Sequence, residues 1–125
     1  MLIQIDFESD TPIYIQLKRQ IIQGIALGEL QPEESLPSVR QMAEDIGINL
    51  HTVNKAYNLL KADGFLTIDR RKGAIINSSA LSLSENYKAE LEEDLNYIIA
   101  EAYCRGLGKE EFLNLCSELY SKYIK

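Results

Sequence analysis

The stretch LPSVRQMAEDIGINLHTVNKAYNLL, residues 36–60, places two short helical patterns in succession with only a few residues between them. Met42 and Ala43 belong to the apolar face of the first pattern. Gly47 stands at its end, where helices often close in a left-handed conformation that glycine adopts at little cost. Asn49 follows as a helix N-cap, because its side-chain oxygen can accept a backbone N–H of the next turn. The stretch therefore predicts a helix, a tight turn and a second helix.

The second helix is predicted to separate two kinds of side chain. Its apolar face consists of Val53, Ala56, Tyr57 and Leu60. His51, Lys55 and Asn58 fall on the opposite, polar face, because residues three or four apart share one side of a helix. At the start of the first helix, Ser38 and Gln41 are spaced as a capping box, in which each side chain bonds the backbone N–H of the other residue.

Upstream of this stretch, the sequence predicts a strand and another helix. The residues LIQI (2–5) have the composition of a short strand. Pro12 marks a helix start, because N–H groups of the first turn have no intrahelical partner and the missing one costs nothing. An apolar stripe at positions i, i+3, i+7 and i+11 consists of Tyr14, Leu17, Ile21 and Ile25. Gly28 ends this helix, and a turn-rich connection leads to the quoted stretch.

Downstream, the apolar runs FLTI (65–68) and AIIN (74–77) flank the charged segment DRRKG (69–73). This pattern predicts a β-hairpin with a basic tip. A helix-turn-helix followed by such a hairpin is a winged helix-turn-helix, whose second helix fits the major groove of DNA. The fold class is therefore mainly α with a small β component (α+β). A three-helix core of another function would show similar patterning, so pattern alone leaves that alternative open.

The C-terminal part predicts a separate element. Serines thin out the apolar pattern at 78–83, which we interpret as a linker after a DNA-binding domain at 1–77. Two amphipathic helices are then expected within 84–125, separated by RGLGKEE (105–111). Their apolar positions are Leu91, Leu95, Ile98, Ala102, Phe112, Cys116, Leu119 and Tyr123. About forty residues can bury little of this surface alone, so we expect these positions to form a homodimer interface.

The charge of the chain limits the classes of function. The formal net charge is −6, which at first sight argues against nucleic acid, because phosphate binding depends on Lys and Arg. Residues 1–77 nevertheless carry eight basic and ten acidic side chains, against five and nine in residues 78–125. Salt screens exposed charges beyond about 8–10 Å, so the placement of a basic patch matters more than the sum.

The sequence suggests neither a membrane span nor a catalytic centre. It has no run of about 18 apolar residues and no signal-peptide pattern, so we expect a cytoplasmic protein with no membrane partner. Cys104 and Cys116 fit no zinc or redox spacing, and we expect them to be reduced, buried core residues. With one histidine, no nucleophile motif and no phosphate-binding loop, the sequence predicts no enzyme, no metal site and no cofactor.

The order of particular residues resembles the N-terminal DNA-binding domain of the GntR superfamily of bacterial transcription regulators. The matching positions within 12–76 are Pro12, Tyr14, GEL (28–30), Pro32, LPS (36–38), Arg40, Ala43, Gly47, Thr52, Val53, Leu60 and DGFL (63–66). The opening IQIDFESDTPIY (3–14), TVNKAY (52–57) and the short helical tail are similar to the YtrA-like subgroup. The resemblance implies a homodimeric repressor that binds a double-stranded DNA operator, with a tail too short for the effector-binding domain of larger relatives.

By this resemblance, the DNA-facing residues lie on the two helices of the quoted stretch and at the hairpin tip. They are Arg40, Asn49, Leu50, His51, Thr52, Asn54, Lys55, Lys72 and Gly73. The charge of Arg70 and Arg71, next to Lys72 in the sequence, adds these two residues to the predicted set. Many relatives have Arg at the positions of Leu50 and Asn54, and Gly where this chain has Glu33 or Glu34. The base preference of relatives therefore does not transfer to this chain.

Side-chain type gives these residues physical roles. Arg40 can make two hydrogen bonds to a guanine edge or a phosphate, or it can pair with Glu44 one helical turn away. Lys55 is expected to meet phosphate as a point charge, and the hairpin tip to follow the DNA backbone beside a minor groove. Both features are alternatively ordinary solvated surface. The rival function is a winged-helix module that has lost DNA binding and contacts another protein.

Overall fold

The chain forms five helices and two strands within residues 2–77 and 81–124, which are the residues that this computed structural model describes. In chain order they are α1 (Ile13–Ala26), α2 (Val39–Ile46), α3 (Leu50–Ala62), β1 (Leu66–Asp69), β2 (Gly73–Ile76), α4 (Glu85–Cys104) and α5 (Lys109–Ser121). The predicted fold class, mainly helical with a small β-hairpin, is confirmed. The chain divides into two compact units, Met1–Leu81 and Ser82–Lys125. Of the linker predicted at 78–83, residues 78–80 lie outside the described part of the chain.

One hydrophobic core holds the first unit together, and α3 lies at its centre. Helix α3 packs against α1, α2 and β1. The predicted inward face of α3 is confirmed, since the buried residues of this helix are Val53, Ala56, Tyr57 and Leu60. Full burial of one large apolar side chain contributes about 1.5–3 kcal/mol, so this stripe fixes the rotation of α3 about its axis. The polar face of α3 is thereby left at the surface.

The ends of α2 and α3 follow the predicted local signals, with one exception. Gly47 has φ 67° and ψ 40°, and the N–H of Ile48 donates to the Ala43 carbonyl at 3.0 Å. Ser38 Oγ accepts the Gln41 N–H at 3.1 Å, which is half of the predicted capping box. The other half is wrong, because the Gln41 side chain turns forward and donates to Asp45 Oδ1 at 2.7 Å. A neighbouring carboxylate at i+4 thus competes successfully for that amide.

The predicted hairpin is confirmed and has an additional edge. Strands β1 and β2 pair antiparallel, with Leu66 opposite Ile76 and Asp69 opposite Gly73. The connection before α2 runs along the other side of β2, where the N–H of Leu36 donates to the Ala74 carbonyl at 2.8 Å. The connection that the sequence suggested was only a turn therefore anchors the hairpin to the start of α2.

The strand predicted for LIQI is wrong, because among the described residues the sheet consists of β1 and β2 and does not include this segment. Ile3 and Ile5 pack against the core of the first unit. Residues 2–5 do alternate between exposed and half-buried side chains, but the surface that receives the half-buried ones belongs to the helical core. A pattern of period two reports an extended chain with one buried side, and it does not require a sheet.

Two glutamines of α1 take the place of a neighbouring strand. Gln20 accepts the Gln4 N–H at 2.9 Å through its side-chain oxygen and donates to the Gln4 carbonyl at 2.6 Å. Gln16 accepts the Asp6 N–H at 2.9 Å and donates to the Asp6 carbonyl at 2.9 Å. We call these four residues the glutamine ladder. It satisfies backbone groups that a strand partner would otherwise satisfy.

The second unit consists of the two predicted helices, α4 and α5. Ser84 caps α4 by accepting the Tyr87 N–H at 3.0 Å. The helix ends in a turn in which the N–H of Leu107 donates to the Ala102 carbonyl at 3.0 Å, and Gly106 has φ 91°. Neither helix buries a single residue. Most of the amphipathic pattern of the tail thus remains exposed in the single chain.

The prediction that Cys104 and Cys116 are buried is wrong, because both side chains are exposed. Two helices offer each other only one narrow seam, so most of their apolar positions remain on the surface. In the part of the chain that the structure describes, no helix has both the length and the apolar character needed to cross a bilayer.

Candidate nucleic-acid interface

The helix-turn-helix places six predicted or neighbouring residues around one open groove of about 490 Å³. The groove is lined by Ser38, Val39, Arg40, Leu50, His51 and Asn54. It lies where the start of α2 meets the start of α3, so side chains from both helices converge there. The polar residues Arg40, His51 and Asn54 are exposed. The surface therefore offers hydrogen-bonding groups on a helix face that no other element of the first unit covers.

Arg40 is available to a ligand in this arrangement. The alternative that it pairs with Glu44 is not realised; within residues 2–77 the structure gives an ion pair between Lys18 and Asp63, at 3.1 Å. A guanidinium carries five donors in a planar fork and stays charged at any relevant pH. Arg40 thus presents a permanent positive charge beside the start of α3.

Asn49 and Thr52 contribute differently from their neighbours on α3. Asn49 Oδ1 accepts the His51 N–H at 2.7 Å, so this oxygen is occupied in capping the helix. Thr52 is half-buried on the side of the core. The N–H groups of Thr52 and Val53 donate to the Asn49 carbonyl at 3.1 and 3.3 Å, so the helix dipole, rather than a set of free N–H groups, is what favours an anion such as phosphate at this end.

Lys55 is held in place by a contact that the sequence analysis missed. Its ammonium lies 4.0 Å from the centroid of the Tyr14 ring. A cation–π contact at an exposed site is worth about 0.5–1 kcal/mol, which restricts a flexible side chain without neutralising it. Tyr14 was recognised only as part of the apolar stripe of α1. No sequence signal identifies the pair, because it joins two helices through their packing.

The predicted basic cluster Arg70, Arg71 and Lys72 forms the exposed tip of the hairpin, which we call the wing tip. Asp69 organises it, because its Oδ1 accepts the Arg71 N–H at 2.7 Å and the Lys72 N–H at 3.0 Å. These two backbone bonds lower the pKa of the Asp69 carboxyl, since they favour its charged form. Asp69 is a functional residue that the sequence analysis missed. An aspartate directly before a turn, whose side chain can bond the backbone N–H two residues on, is the signal that could have revealed it.

Gly73 is required at the wing tip for its backbone conformation. Its φ is 79°, and a Cβ built there would meet no atom within 4 Å. Crowding inside the protein is therefore not the reason for glycine. The left-handed conformation is the reason, because it returns the chain into β2 directly after the basic residues.

Tyr57 links the two helices of the motif from the inside. Its hydroxyl donates to the Pro37 carbonyl at 2.8 Å. Burial raises the pKa of Tyr57, so the hydroxyl stays protonated and keeps its donor role. This bond ties α3 to the residues just before α2 and so helps to fix the geometry of the groove.

The described residues 2–77 and 81–124 contain no group of three or more His, Cys, Asp or Glu side chains that could hold a metal ion. The side chains that converge at the groove and the wing tip are basic or neutral. Such groups bind polyanions by charge and hydrogen bonding.

Comparison with known proteins gives relatives over nearly the whole chain. The HTH-type transcriptional repressor YtrA of Bacillus subtilis (strain 168) is 34% identical over 119 residues, which is 94% of this chain and 92% of that protein. A solved structure described as a transcriptional antiterminator from Listeria monocytogenes EGD-e has a TM-score of 0.91 at 30% identity, covering 100% of this chain and 94% of the other. YtrA from Sulfolobus acidocaldarius, a GntR-family transcription factor, has a TM-score of 0.68 at 39% identity and covers 80% and 99%.

The family assignment rests on the winged helix-turn-helix itself. The sequence model of the family described as "Bacterial regulatory proteins, gntR family" matches residues 13–76. This range is more than half of the chain and extends from the start of α1 to the end of β2. It includes the groove and the wing tip described above. The chain belongs to the gntR family of bacterial regulatory proteins, and it is a DNA-binding transcription regulator with a winged helix-turn-helix.

Proposed function

We propose that this protein is a cytoplasmic repressor that binds an inverted-repeat DNA operator as a homodimer. The observation that carries the proposal is the uncovered polar face of α3, with Arg40 of α2 beside it in one groove. A relative that is similar over nearly the whole chain is named a repressor. Blocking a promoter requires only occupancy of a site, which a short chain of this kind can provide.

In this proposal α3 enters the major groove of DNA, which is about 12 Å wide and admits one helix. Arg40, His51 and Asn54 face base edges from the groove of the protein. Lys55, restrained by Tyr14, meets a phosphate. The remaining contacts come from the start of α3 and from the wing tip beside a minor groove. They involve Asn49, Leu50, Thr52, Arg70, Arg71, Lys72 and Gly73.

The second unit supports the dimer in this proposal through its exposed apolar surface. Leu95, Ile98 and Leu119 are 38%, 49% and 52% exposed in one copy. The predicted interface also includes Leu91, Ala102, Phe112, Cys116 and Tyr123, of which Ala102, Phe112 and Tyr123 are half-buried. Each Å² of apolar surface removed from water contributes about 25 cal/mol. A second copy that lays its own α4 and α5 on this surface buries it in an isologous, two-fold interface.

A two-fold dimer presents two copies of α3 to the operator. If these enter successive major grooves on one face of the duplex, the centres of the half-sites lie about 10 base pairs, or about 34–36 Å, apart. A symmetric protein reads symmetric sequence, so the operator is an inverted repeat. The negative net charge of −6 does not prevent this binding. The basic wing tip and Arg40 act locally, and salt screens the distant acidic side chains.

RNA is the other nucleic acid to consider, since one similar solved structure is described as a transcriptional antiterminator from Listeria monocytogenes EGD-e. An A-form RNA helix has a deep, narrow major groove that side chains do not read. Helix α3 therefore fits DNA better than duplex RNA. An RNA duplex of the same sequence is accordingly the natural competitor in the test.

The test is a titration of the full chain into a mixed-sequence DNA duplex at low salt, followed by selection of preferred sites from random duplexes. We expect non-specific dissociation constants of about 10⁻⁴–10⁻⁶ M, because non-specific binders reach this range. The selected sites should contain an inverted repeat. Lys55→Gln should weaken binding to all duplexes, whereas Lys109→Gln, the same charge change in the second unit, should leave it unchanged.

Three outcomes would contradict the proposal or a part of it. A protein that binds no duplex at low salt would be the rival, a winged-helix module that contacts another protein. A protein that prefers the RNA duplex over the DNA duplex of equal sequence would have another nucleic acid as its partner. Selected sites without two-fold symmetry would remove the homodimer from the proposal and retain DNA binding.

A further inference from the structure

Leu50 occupies an unusual position for a leucine in this fold. It is the first residue of α3, and it is 40% exposed although the same helix has a fully formed apolar face. Val53, one turn further along, has no exposed surface. The core of the first unit therefore does not account for the Leu50 side chain. One exposed leucine is ordinary in itself, so the observation that matters is the place of Leu50, which lines the groove at the start of α3.

The surroundings of Leu50 combine one apolar surface with several hydrogen-bonding groups. Together with half-buried Val39, it forms the apolar part of the groove between α2 and α3. Arg40, His51 and Asn54 line the same groove. A ligand that enters this groove is thus offered an apolar contact and polar contacts side by side. Its own surface must carry both kinds of group at short spacing.

The major groove of DNA offers only one apolar group on the edges of its bases, the 5-methyl group of thymine. Apart from small C–H edges such as C5–H of cytosine, the other groups that face this groove are hydrogen-bond donors or acceptors. The residues at the start of a recognition helix are the ones that reach base edges. Leu50 is the residue at that start, so its position and its chemistry both match the methyl group.

We propose that Leu50 is a specificity-determining residue that contacts the methyl group of one thymine in each operator half-site. This inference rests on the DNA binding proposed above and adds a chemical requirement to the operator. Leu50 and Val39 receive the methyl group, while Arg40 and Asn54 bond polar groups of neighbouring bases. A polar base edge in the same place would lose hydrogen bonds to water against Leu50 without replacing them, so the site selects against it.

The experiment uses the full chain and duplexes that it selects from a random library. Each thymine of the selected duplex is replaced singly by deoxyuridine, which lacks only the methyl group and keeps the O4 acceptor. At one position of each half-site, we expect the replacement to weaken binding about fourfold, which corresponds to the transfer of about one methyl group out of water. Replacement in both half-sites should weaken binding about sixteenfold, since the two positions are far apart.

Two variants assign the effect to Leu50. Leu50→Ala should weaken binding to the thymine duplex and should bind thymine and deoxyuridine duplexes equally. Leu2→Ala is the matched control, because it truncates a leucine that is 77% exposed and lies outside the groove. It should retain the full preference for thymine. The first measurement uses the unaltered protein, so the inference stays testable if a variant folds poorly.

The possible failures are distinct. Duplexes that bind with no methyl-sensitive position overturn the inference and leave the proposed function standing. A thymine preference that persists in Leu50→Ala also overturns it, because another residue then reads the methyl group. A chain that binds no duplex refutes the proposed function, and the inference with it.

Discussion

At the scale of single residues, Arg40 is the side chain whose removal should most reduce the preference for the operator over random DNA. It is exposed, makes no pair with Glu44, and lines the groove at the start of α3. We expect Arg40→Ala to weaken specific binding by about 1–3 kcal/mol and to relax the preference at one position of each half-site, as loss of a two-bond base contact does. Affinity for selected and random duplexes measures both effects.

The control for Arg40 is Arg19→Ala on α1, which removes an equal charge from an exposed position outside the groove. It should leave the ratio of specific to non-specific affinity unchanged. If Arg40→Ala weakened all duplexes by the same factor, its role would be a phosphate contact.

Glu33 has a backbone conformation that lowers the free energy of unfolding. Its φ is 69°, a left-handed conformation in which a Cβ is unfavourable. We expect Glu33→Gly to raise the free energy of unfolding by about 0.5–1 kcal/mol, because the relief of strain exceeds the entropy that glycine loses on folding. Glu34→Gly, at a neighbour without this conformation, should not stabilise the protein. Urea unfolding of the two variants makes the comparison, and equal stabilities would contradict it.

At this scale the sequence predicts the interactions between residues that lie within one helical turn of each other along the chain. Gly47, Asn49 and the oxygen of Ser38 all act as their neighbours along the chain require. The pair of Lys55 with Tyr14 was out of reach, because it depends on how α1 crosses α3. The resemblance left the glycine position open between two glutamates, and the φ of 69° identifies Glu33 as the residue concerned.

At the scale of elements, the wing tip depends on a residue of the wrong charge for DNA. Asp69 is an acid beside a basic patch, yet its carboxylate holds the N–H groups of Arg71 and Lys72. We expect Asp69→Ala to weaken DNA binding although it removes a negative charge, because the tip then loses its order. Asp69→Asn, which keeps an acceptor oxygen, should bind at least as well as the unaltered protein. Non-specific affinity at two salt concentrations measures this.

The alternative for the wing tip is pure electrostatics. In that case Asp69→Ala and Asp69→Asn would strengthen binding equally.

The order of the wing tip should also depend on pH, because protonation of Asp69 weakens its bonds to the two N–H groups. The pKa of Asp69 is lowered, so its contribution to the stability of the wing tip is complete above the ordinary carboxyl range and is lost as the pH falls through the lowered value.

Helices and strands were predicted well where the pattern of neighbouring residues determines them. They were predicted less well where pairing with a distant segment of the chain determines the structure. Helices α1 to α5 and the hairpin followed from periodicity and from turn residues. The pairing of the segment before α2 with β2 was not predicted, because hydrogen bonds between distant parts of the backbone leave no periodicity in either segment. For the same reason, LIQI (2–5) was interpreted as a strand when its partner is a helix.

At the scale of the whole molecule, the second unit should determine how many half-sites are bound. We expect a chain truncated to residues 1–79 to remain folded, since its core lies within the first unit, and to be a monomer. It should bind a half-site as the full chain does and lose most of its affinity for the complete operator. Sedimentation of both chains and titration of whole and half operators measure this.

Other results would place the interface elsewhere. A truncated chain that still sediments as a dimer would assign dimerisation to the first unit. A full chain that is monomeric at micromolar concentration and binds whole and half operators equally would leave the exposed leucines of α4 and α5 without this role.

The exposed cysteines show where sequence reasoning stops at this scale. Cys116 falls on the apolar stripe of α5, which correctly predicts an amphipathic helix. Whether a stripe is buried depends on what packs against it, and one chain does not contain that information. The single chain leaves Cys104 and Cys116 at the surface. The sequence pattern therefore predicts which face of the helix is apolar, and it does not predict what packs against that face.

The glutamine ladder fixes the N-terminal segment by a coincidence of two lengths. A helix rises about 1.5 Å per residue, so Gln16 and Gln20 stand about 6 Å apart along α1. An extended chain advances about 6.6 Å over two residues, which is the spacing of Gln4 and Asp6. Four residues of α1 therefore cover nearly the same length as two residues of an extended chain. A slip of a single residue would misalign both amides and turn Ile3 and Ile5 into water, so α1 sets the register of a segment that has no sheet to set it.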